Sequence, residues 1–480
     1  MYKPTIGLEI HCELKTKSKM FCDSPNNPDE TRPNFNVCPI CLAHPGTLPV
    51  INQEAVKAVL KLGLAVGGNS PAGGSRFDRK SYFYPDLPKG YQISQYKEPL
   101  VEGGNLLGVR ITRVHLEEDT GRLVHSPDGK SSLVDFNRAG VPLMELVTEP
   151  DIHSAEEAVA FAKELQLILR YLGISEANME KGQMRIEVNI SVSKDNKLGT
   201  KVEIKNLNSF KTVEEAIRQE IKRQIEILES NKMVMHETRG TAIAAEGEFM
   251  SQRSKELAHD YRYFPEPDLP PLDLTKFNLK ELKDSLPELP EEKRIRFAKD
   301  YGLTPVQIEI IVENNDVAEY FEKAAKELKT QTSNYKPQIL YNYLTSDLFG
   351  LMAEKARLPK ERGINIKDLK ISPKQLAELA SLIIENKISS RIAKDVLKEM
   401  FLTGLDPEKI IRDQGLSQIS DEGIIEKTIN EIIKENPAAV SDYQKGKTNA
   451  LQFLIGQAMK KLKGQANPEI LKNLFEKYLR

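Results

Sequence analysis

Three segments of the chain alternate apolar and polar residues with a period of two, and this pattern constrains the fold more than any other feature. The segments are residues 6–13, 184–190 and 201–205. Successive side chains of a strand point to opposite faces, so each segment is predicted to be a strand with one apolar and one polar face. The polar faces carry Glu9, His11 and Glu13; Arg185, Glu187 and Asn189; and Lys201, Glu203 and Lys205.

The residue types on these polar faces leave two interpretations. An antiparallel sheet with one solvated side, or a structural network of ion pairs, produces the same alternation. A face that is merely solvated favours Thr, Ser and Lys, whereas Glu, His, Arg and Asn bind metals, phosphates and carboxylates. The pattern therefore favours a binding face, with the structural interpretation as its alternative.

The chain as a whole is predicted to be an α+β protein. Residues 1–290 alternate short β-branched runs with Gly and Pro turns and a few helices. The six prolines within residues 264–290 indicate a linker or an extended segment, because such density cannot continue a helix or a central strand. Beyond them the apolar residues recur at the helical period, and a break at residues 404–407 divides this helical part in two. The predicted helices include residues 155–172, 213–228, 338–356, 373–386, 388–401 and 422–435.

The formal charge is nearly balanced, with 68 Lys and Arg against 70 Asp and Glu. Such a balance gives no global attraction to nucleic acid or to an anionic membrane. No run of about 18 apolar residues occurs and no apolar signal segment follows Met1, so we expect a cytoplasmic protein that does not span a membrane.

The last helices are nevertheless regionally basic. A surface that binds phosphates and a solvated lysine-rich face are both compatible with this composition. The lysines that could contact a nucleic acid are Lys445, Lys447, Lys460, Lys461 and Lys463.

Further carboxylates are concentrated in two other segments. The consecutive acids Glu117, Glu118 and Asp119 end a predicted strand, and Glu145 lies in a nearly apolar context. Like charges packed this tightly repel one another unless a divalent cation neutralises them. Oxygen ligands together with an imidazole suit Mg²⁺ or Mn²⁺ better than zinc, so the acids indicate a metal site that accompanies a nucleotide.

The usual phosphate-binding loop is missing from the sequence. The triplet Gly446-Lys447-Thr448 has Ser441 where the loop requires a glycine, and no predicted strand precedes it. Phosphates would then be held by the metal together with basic side chains. The candidates for binding the nucleotide are Arg185, Lys201, Lys205 and Arg239.

All four cysteines lie within the first 41 residues. Cys38 and Cys41 form a CxxC knuckle, and Cys12 and Cys22 complete the four thiolates of a closed structural zinc site. Reduced structural thiols are one alternative. A redox pair is another, although no thioredoxin-like context surrounds the knuckle.

Residues 76–96 combine basic and aromatic side chains. Aromatic rings beside Arg and Lys can stack on an unpaired base or an adenine while the cations hold phosphate. A loop packed by its own rings is the alternative. The rings are Tyr82, Phe83, Tyr84, Tyr91 and Tyr96.

Six longer runs of sequence resemble the GatB/GatE family, which contains the B subunits of the aspartyl/glutamyl-tRNA amidotransferases. The resemblance covers essentially the whole chain, including a C-terminal part similar to a YqeY-type tRNA-binding tail. The runs are residues 6–11 (IGLEIH), 82–95 (YFYPDLPKGYQISQ), 115–119 (HLEED), 135–138 (DFNR), 205–210 (KNLNSF) and 260–268 (DYRYFPEPD).

This resemblance implies a specific domain organisation. A cradle domain with a mixed or antiparallel sheet and the active site would span residues 1–290. An all-α helical domain would follow in residues 291–406, and a small all-α YqeY-like tail that binds tRNA would occupy residues 407–480.

The resemblance also implies the reaction and its partners. ATP would phosphorylate the side-chain carboxylate of Glu-tRNA(Gln) or Asp-tRNA(Asn), and ammonia would then displace the phosphate. The ammonia would come through a channel from GatA, the amidase of the complex, and the small protein GatC would complete a heterotrimer. No Ser/Lys amidase signature is visible in the sequence, so glutamine hydrolysis is expected of the partner.

Residue by residue, the resemblance places the catalytic site and its magnesium on Glu9, His11, Glu117 and Glu118. Glu145 contributes, and so does Glu187, where family members often have Asp. A non-catalytic tRNA-binding scaffold is the alternative function. The acidic cluster distinguishes the two, because a scaffold has no need of these side chains together.

Overall fold

The computed structural model describes residues 2–479 except residues 28, 72–73, 127, 196, 242–248, 255–260, 357–364, 417–421, 463–465 and 467. Lys463, one of the lysines predicted to bind nucleic acid, lies outside the described residues. The chain divides into two compact units, Met1–Pro290 and Glu291–Arg480.

The described residues of the first unit form three sheets. Its strands are β1 (Lys3–Glu13), β2 (Asp78–Ser81), β3 (Tyr91–Ser94), β4 (Val101–Glu102), β5 (Asn105–Leu106), β6 (Val109–Glu118), β7 (Arg122–His125), β8 (Ser132–Asp135), β9 (Pro142–Thr148), β10 (Met184–Ser193), β11 (Val202–Leu207), β12 (Glu237–Thr241), β13 (Phe249–Ser254) and β14 (Phe264–Pro265). A nine-stranded sheet has the order β13-β12-β11-β10-β1-β9-β6-β4, with β5 paired to β6. Within this sheet β11 and β12 are parallel and the other pairs are antiparallel, so the sheet is mixed. The smaller sheets are β14-β2-β3 and β7-β8.

The apolar columns of the predicted strands form the core of this unit. Ile6 and Ile10 of β1 and Val188 of β10 are completely buried in it. The helices of the unit are α1 (Gln53–Ala65), α2 (Ala155–Tyr171), α3 (Phe210–Glu229) and α4 (Leu279–Asp284). Helices α1, α2 and α3 contact β6, β1 and β10 respectively. Because the helices cover the apolar face, the charged columns lie on the opposite face of the large sheet.

Both ends of α2, the helix predicted over residues 155–172, have residues typical of helix caps. Ser154 is the N-cap residue, and its side chain accepts a hydrogen bond from the backbone N–H of Glu157. Gly173, just past the end of the helix, has a φ of +67°, a conformation that glycine adopts without strain.

The second unit is helical in the part of it that the structure describes. Its helices are α5 (Pro290–Tyr301), α6 (Pro305–Val312), α7 (Asn315–Gln331), α8 (Pro337–Asn342), α9 (Phe349–Ala356), α10 (Pro373–Ile384), α11 (Ser390–Thr403), α12 (Pro407–Asp413), α13 (Glu422–Glu435), α14 (Pro437–Gln444), α15 (Thr448–Lys461) and α16 (Pro468–Tyr478). The single helix predicted over residues 338–356 is instead α8 and α9 joined by a π-helical turn, Tyr343–Leu348. The predicted α+β class is confirmed.

An apolar cluster joins the helices α13, α15 and α16 through Ile429, Leu454 and Phe475, all completely buried. None of the helices that the structure describes has both the length and the apolarity needed to cross a membrane.

Candidate active site

The charged face of the large sheet lines an open cavity of about 450 Å³. The small sheet β14-β2-β3 contributes Lys80 and Gln92 to the lining, and Tyr82 joins them just after β2. The sequence-predicted site residues that line it are Glu9, His11, Glu117, Glu145, Arg185, Glu187, Lys201 and Lys205. The structure therefore brings together eight side chains from β1, β6, β9, β10 and the region of β11.

Four of the cavity side chains, His11, His115, Glu117 and Glu145, form what we call the histidine group. Strand register creates it, because His11 of β1 pairs with Glu145 of β9, which in turn pairs with His115 of β6. Nε2 of His11 lies 3.3 Å from Oε2 of Glu145 and 3.5 Å from Oε1 of Glu117. Nε2 of His115 lies 3.3 Å from the same oxygen of Glu145.

Electrostatic interactions within the histidine group favour the charged forms of His11 and Glu145. Burial disfavours the imidazolium of His11, but Glu145 and Glu117 outweigh this effect and raise the pKa of His11 to about 9. Burial also opposes ionisation of Glu145, yet His115 and His11 hold the pKa of that carboxyl well below its usual range. Nδ1 of His115 is buried and has no hydrogen-bond partner among the described residues.

Three more carboxylates, Glu9, Glu187 and Glu203, form what we call the carboxylate group. Glu9 of β1 pairs in register with Glu187 of β10, and one oxygen from each of the three acids lies within 4.8 Å of the others. Nδ2 of Asn189 donates a hydrogen bond of 2.7 Å to Glu9. Nζ of Lys205 lies 2.8 Å from Oε2 of Glu187, and the nearby acids raise the pKa of Lys205 although burial opposes the rise.

Arg185 belongs to a third polar cluster at the cavity. Its Nη2 donates a hydrogen bond of 2.7 Å to Oδ2 of Asp119, which is almost fully buried. Burial would raise the pKa of Asp119, but Arg185 and Arg138 outweigh it and lower the pKa. Burial and the proximity of Asp119 raise the pKa of Glu13 to about 7. Arg185 is thus already paired, which limits its capacity to bind a phosphate.

The structure separates Glu118 from the predicted metal ligands. Adjacent residues of a strand point to opposite faces, so Glu118 faces away from the cavity into which Glu117 projects. Its carboxylate accepts a hydrogen bond of 2.7 Å from Nζ of Lys89 and one of 2.9 Å from the backbone N–H of Ile93. It lines a second cavity, of about 300 Å³, together with Cys41.

Arg239 is also absent from the cavity lining, contrary to the prediction that it binds the nucleotide. Its guanidinium pairs with Glu220 of α3 at 3.5 Å and with Glu237 at 3.0 Å. These partners place it with the helix that packs on the apolar side of the sheet, so its charge serves the fold.

The cysteines form a cluster of three, and the predicted four-thiolate site is wrong. The sulfur atoms of Cys22, Cys38 and Cys41 lie within 4.8 Å of one another. Cys12 belongs to the apolar column of β1, where it is completely buried with its Sγ 3.1 Å from Oγ of Ser175. Burial raises the pKa of Cys12 to about 12, which keeps it a thiol.

The surroundings of Cys41 stabilise its thiolate. The hydrogen bond that it shares with Cys22 lowers the pKa of Cys41 to about 4, in opposition to the effect of burial. The backbone N–H of Cys38 donates to Sγ of Cys41 at 3.1 Å, and Nζ of Lys19 lies 3.7 Å from it. A thiolate at neutral pH is the form that ligates a metal.

Two of the lysines predicted to bind nucleic acid form ion pairs with carboxylates of the second unit. Nζ of Lys461 lies 2.8 Å from carboxylate oxygens of both Glu431 and Glu435. Nζ of Lys447 lies 3.0 Å from Asp442. Two others are exposed and have no carboxylate partner among the residues that the structure describes: Lys445 and Lys460.

The cavity also contains residues that the sequence analysis does not name as catalytic or nucleotide-binding. The alternation places Glu203 on the polar face of residues 201–205, and it places His115 on the same face as Glu117, so period two indicates both. Lys80 lies 5.1 Å above the ring of Tyr261, and its pKa is raised well above the usual value because Glu117 and Glu145 outweigh the effect of burial. No local pattern indicates that Lys80 and Tyr261 meet.

Comparison with known proteins gives concordant matches. Residues 4–280 match the family described as the GatB/GatE catalytic domain, and residues 319–479 match the family described as the GatB domain. Similar proteins from Caldanaerobacter subterraneus, Thermodesulfovibrio yellowstonii and Thermotoga maritima are 46%, 45% and 44% identical to the chain. Each alignment covers all of this chain and 99% of the relative, and each relative is named as the B subunit of an aspartyl/glutamyl-tRNA(Asn/Gln) amidotransferase.

Proposed function

The chain belongs to the GatB/GatE family, and we propose that its sheet cavity is where a carboxylate carried by tRNA is activated and amidated. As the B subunit of an amidotransferase it takes part in an ATP-dependent ligase reaction that forms Gln-tRNA(Gln) or Asn-tRNA(Asn). One observation carries the assignment to this cavity: the histidine group and the carboxylate group converge in it. Such a convergence of acids is costly unless cations bind there.

The reaction has two steps. In the first, a side-chain carboxylate oxygen of the esterified Glu or Asp attacks the γ-phosphorus of ATP, and the bond from that phosphorus to the bridging oxygen breaks to release ADP. In the second, ammonia attacks the acyl carbon, the bond from carbon to the phosphate oxygen breaks, and phosphate leaves. The amide nitrogen loses one proton to water. Both steps develop negative charge on phosphate oxygens, which cations can stabilise.

Two sets of donors fit magnesium by their chemistry: two carboxylates and one imidazole of the histidine group, and the three acids of the carboxylate group. His11, Glu117 and Glu145 would hold one ion, and the carboxylate group would hold another. Magnesium bound there would neutralise phosphate charge during phosphoryl transfer. Glu118 is not part of this proposal because it faces away.

Basic side chains at the cavity would complete the binding of ATP. Lys201 lines the cavity, and Lys80 reaches it from β2. Ammonium groups make strong, charge-assisted hydrogen bonds to phosphate oxygens. Arg185 and Lys205 are held by Asp119 and Glu187, so they would act chiefly by orienting those carboxylates.

The proposal extends to partners and domains. The chain would act with the amidase GatA, which supplies ammonia, with the small protein GatC and with a misacylated tRNA. Residues 1–290 would be the catalytic cradle, residues 291–406 the helical domain and residues 407–480 the tRNA-binding tail. In that tail Lys445 and Lys460 would contact phosphates, because their charges are exposed.

A structural zinc is proposed at Cys22, Cys38 and Cys41. Three thiolates suit zinc, and the fourth ligand would be an oxygen, since no further Cys, His, Asp or Glu joins the cluster among the described residues. Oγ of Ser24, 3.9 Å from Sγ of Cys41, is close enough to supply it after a small shift, and a water molecule is the other source.

The change of Glu145 to Gln tests the catalytic assignment in the full chain assembled with GatA and GatC. Glu145 joins both imidazoles of the histidine group, so Glu145→Gln should reduce tRNA-dependent ATP cleavage by about 10²–10³-fold. The affinity for tRNA should stay the same, as measured by filter binding.

Glu149→Gln is the matched control. Glu149 follows the same strand but bonds Thr112 outside the cavity lining, so its variant should keep normal ATP cleavage. Normal ATP cleavage by Glu145→Gln would contradict the proposed site. A wild-type assembly that binds tRNA without cleaving ATP would support the scaffold function instead.

A further inference from the structure

Arg113 stands in the wall of the cavity with its charge uncompensated. It lies on the same face of β6 as His115 and Glu117, two and four residues before them. It forms no ion pair or hydrogen bond through its side chain among the described residues, and its Nε atom is buried without a partner. A buried polar atom without a partner is costly, which indicates that a ligand completes it.

Two other cations of the cavity, Arg185 and Lys205, differ from Arg113 in this respect. Arg185 bonds Asp119 at 2.7 Å, and Lys205 lies 2.8 Å from Glu187. The cavity is rich in carboxylates, yet Arg113 reaches none of those that the structure describes. Its position therefore suits an anion that arrives with the substrate.

An aromatic pair lies beside Arg113. The rings of Tyr96 and Tyr263 are stacked, with centroids 4.5 Å apart and an angle of 12° between their planes. The guanidinium of Arg113 lies 6.0 Å from the centroid of Tyr96, whose residue remains 37% exposed. The pair lines both the main cavity and a smaller one of about 230 Å³.

We propose that Arg113 and the Tyr96–Tyr263 pair form a subsite for an adenosine nucleotide, with the base against Tyr96 and the phosphate against Arg113. A planar guanidinium binds phosphate through two parallel hydrogen bonds, and an exposed aromatic ring stacks on an unpaired base. This inference rests on the proposed function, which brings two adenosine nucleotides to the cavity. They are the terminal adenosine of the aminoacyl-tRNA and ATP.

The subsite holds the terminal adenosine of the tRNA. Arg113 is two residues before His115 on β6, so it lies about one strand repeat from the histidine group. An amino acid esterified to that adenosine would extend from Arg113 toward Glu145 and Glu117. ATP as the occupant is the other outcome of the test.

The experiment measures binding by the full chain at one salt concentration and needs no turnover. The probes are an intact tRNA, the same tRNA without its terminal adenosine, and ATP. The wild-type chain should bind the intact tRNA roughly tenfold more tightly than the shortened one, the size expected for one stacked base. Arg113→Gln and Tyr96→Leu should each abolish most of that difference and leave the affinity for ATP unchanged.

Conservative and control variants keep the test decisive. Arg113→Lys should restore part of the preference and Tyr96→Phe nearly all of it, because charge and ring are retained. Arg110→Gln, on the same strand but paired with Asp151 at the surface, should bind all three probes like the wild type.

Two outcomes overturn the assignment. If the variants weaken ATP binding and keep the preference for intact tRNA, the subsite belongs to ATP. If the wild-type chain binds both tRNAs equally, or the variants change nothing, there is no such subsite. Either result is separable from failure of the proposed function, which is measured by ATP cleavage in Glu145→Gln.

Discussion

The sheet cavity of the first unit and the basic surface of the last helices are both rich in charge, but they use it differently. In the cavity, Glu117 and Glu145 are 2% and 6% exposed, and register fixes what each charge meets. In the last helices, Lys445 and Lys460 are exposed to solvent. Burial therefore separates charges whose partners the fold fixes from charges that water and salt screen.

The difference has an energetic basis. A buried carboxylate without a counter-charge would be neutralised by a shift of its pKa, so Glu145 depends on His11 and His115 to stay ionised. A surface ion pair gains little, because water and salt screen it. The loss of one buried partner should therefore matter more than the loss of several exposed lysines.

The largest expected effect is a loss of zinc when Cys22 is replaced but not when Cys12 is replaced. In Cys22→Ser the zinc content should fall from about one atom per chain to almost none, because this variant lacks one of the three clustered thiolates. Cys12→Ser is the matched control and should keep the zinc, at a cost of about 1 kcal/mol in the free energy of unfolding. Metal analysis by mass spectrometry and thermal unfolding measure both quantities. Equal zinc loss in the two variants would show instead that Cys12 is a zinc ligand.

A smaller effect is expected from the lysines of the last helices. The double variant Lys445→Gln with Lys460→Gln should weaken tRNA binding severalfold and reduce the slope of log affinity against log salt by about one to two. The double variant Lys447→Gln with Lys461→Gln removes the same charge but from lysines already held by carboxylates. It should change the slope less, and an equal change would mean that pairing does not distinguish these lysines.

The smallest effect concerns the pairing of Lys461 with Glu431, which lowers the pKa of Glu431 below its usual value. A carboxylate with a lowered pKa in the folded state contributes stability above its unfolded pKa of about 4.3, and that contribution is lost as the pH falls through the folded pKa. Thermal unfolding of Glu431→Gln should therefore differ slightly from wild type at pH 7 and converge with it in acid. A difference that is constant with pH would count against the pair.

The alternation of β1 and β10 made the charged face predictable from sequence. It placed Glu9, His11 and Glu187 on one side of the sheet, because a period of two is a local property of the backbone. By the same rule, the adjacent residues Glu117 and Glu118 point to opposite faces of the sheet. The prediction grouped these two because consecutive acids indicate a metal site and because the family resemblance places the site on both, and in this respect strand parity was the better guide.

Cys12 gives a similar lesson. It lies in the apolar column with Ile6 and Ile10, so the alternation already placed it in the core. Counting four cysteines toward a tetrahedral site overruled that local evidence. Arg239 differs, because its partner Glu220 lies on α3 and no pattern near Arg239 indicates the contact.

The sequence by itself determined the α+β class, the faces of the strands and the family of the chain, since these depend on local periodicity and on long runs of residues that resemble the family. Only the tertiary structure decided which acids meet. Glu9 and Glu203 are far apart in the chain, and pairing of β1 with β10 and of β10 with β11 brings them together. Register between distant strands depends on packing of the whole core, which no local segment encodes.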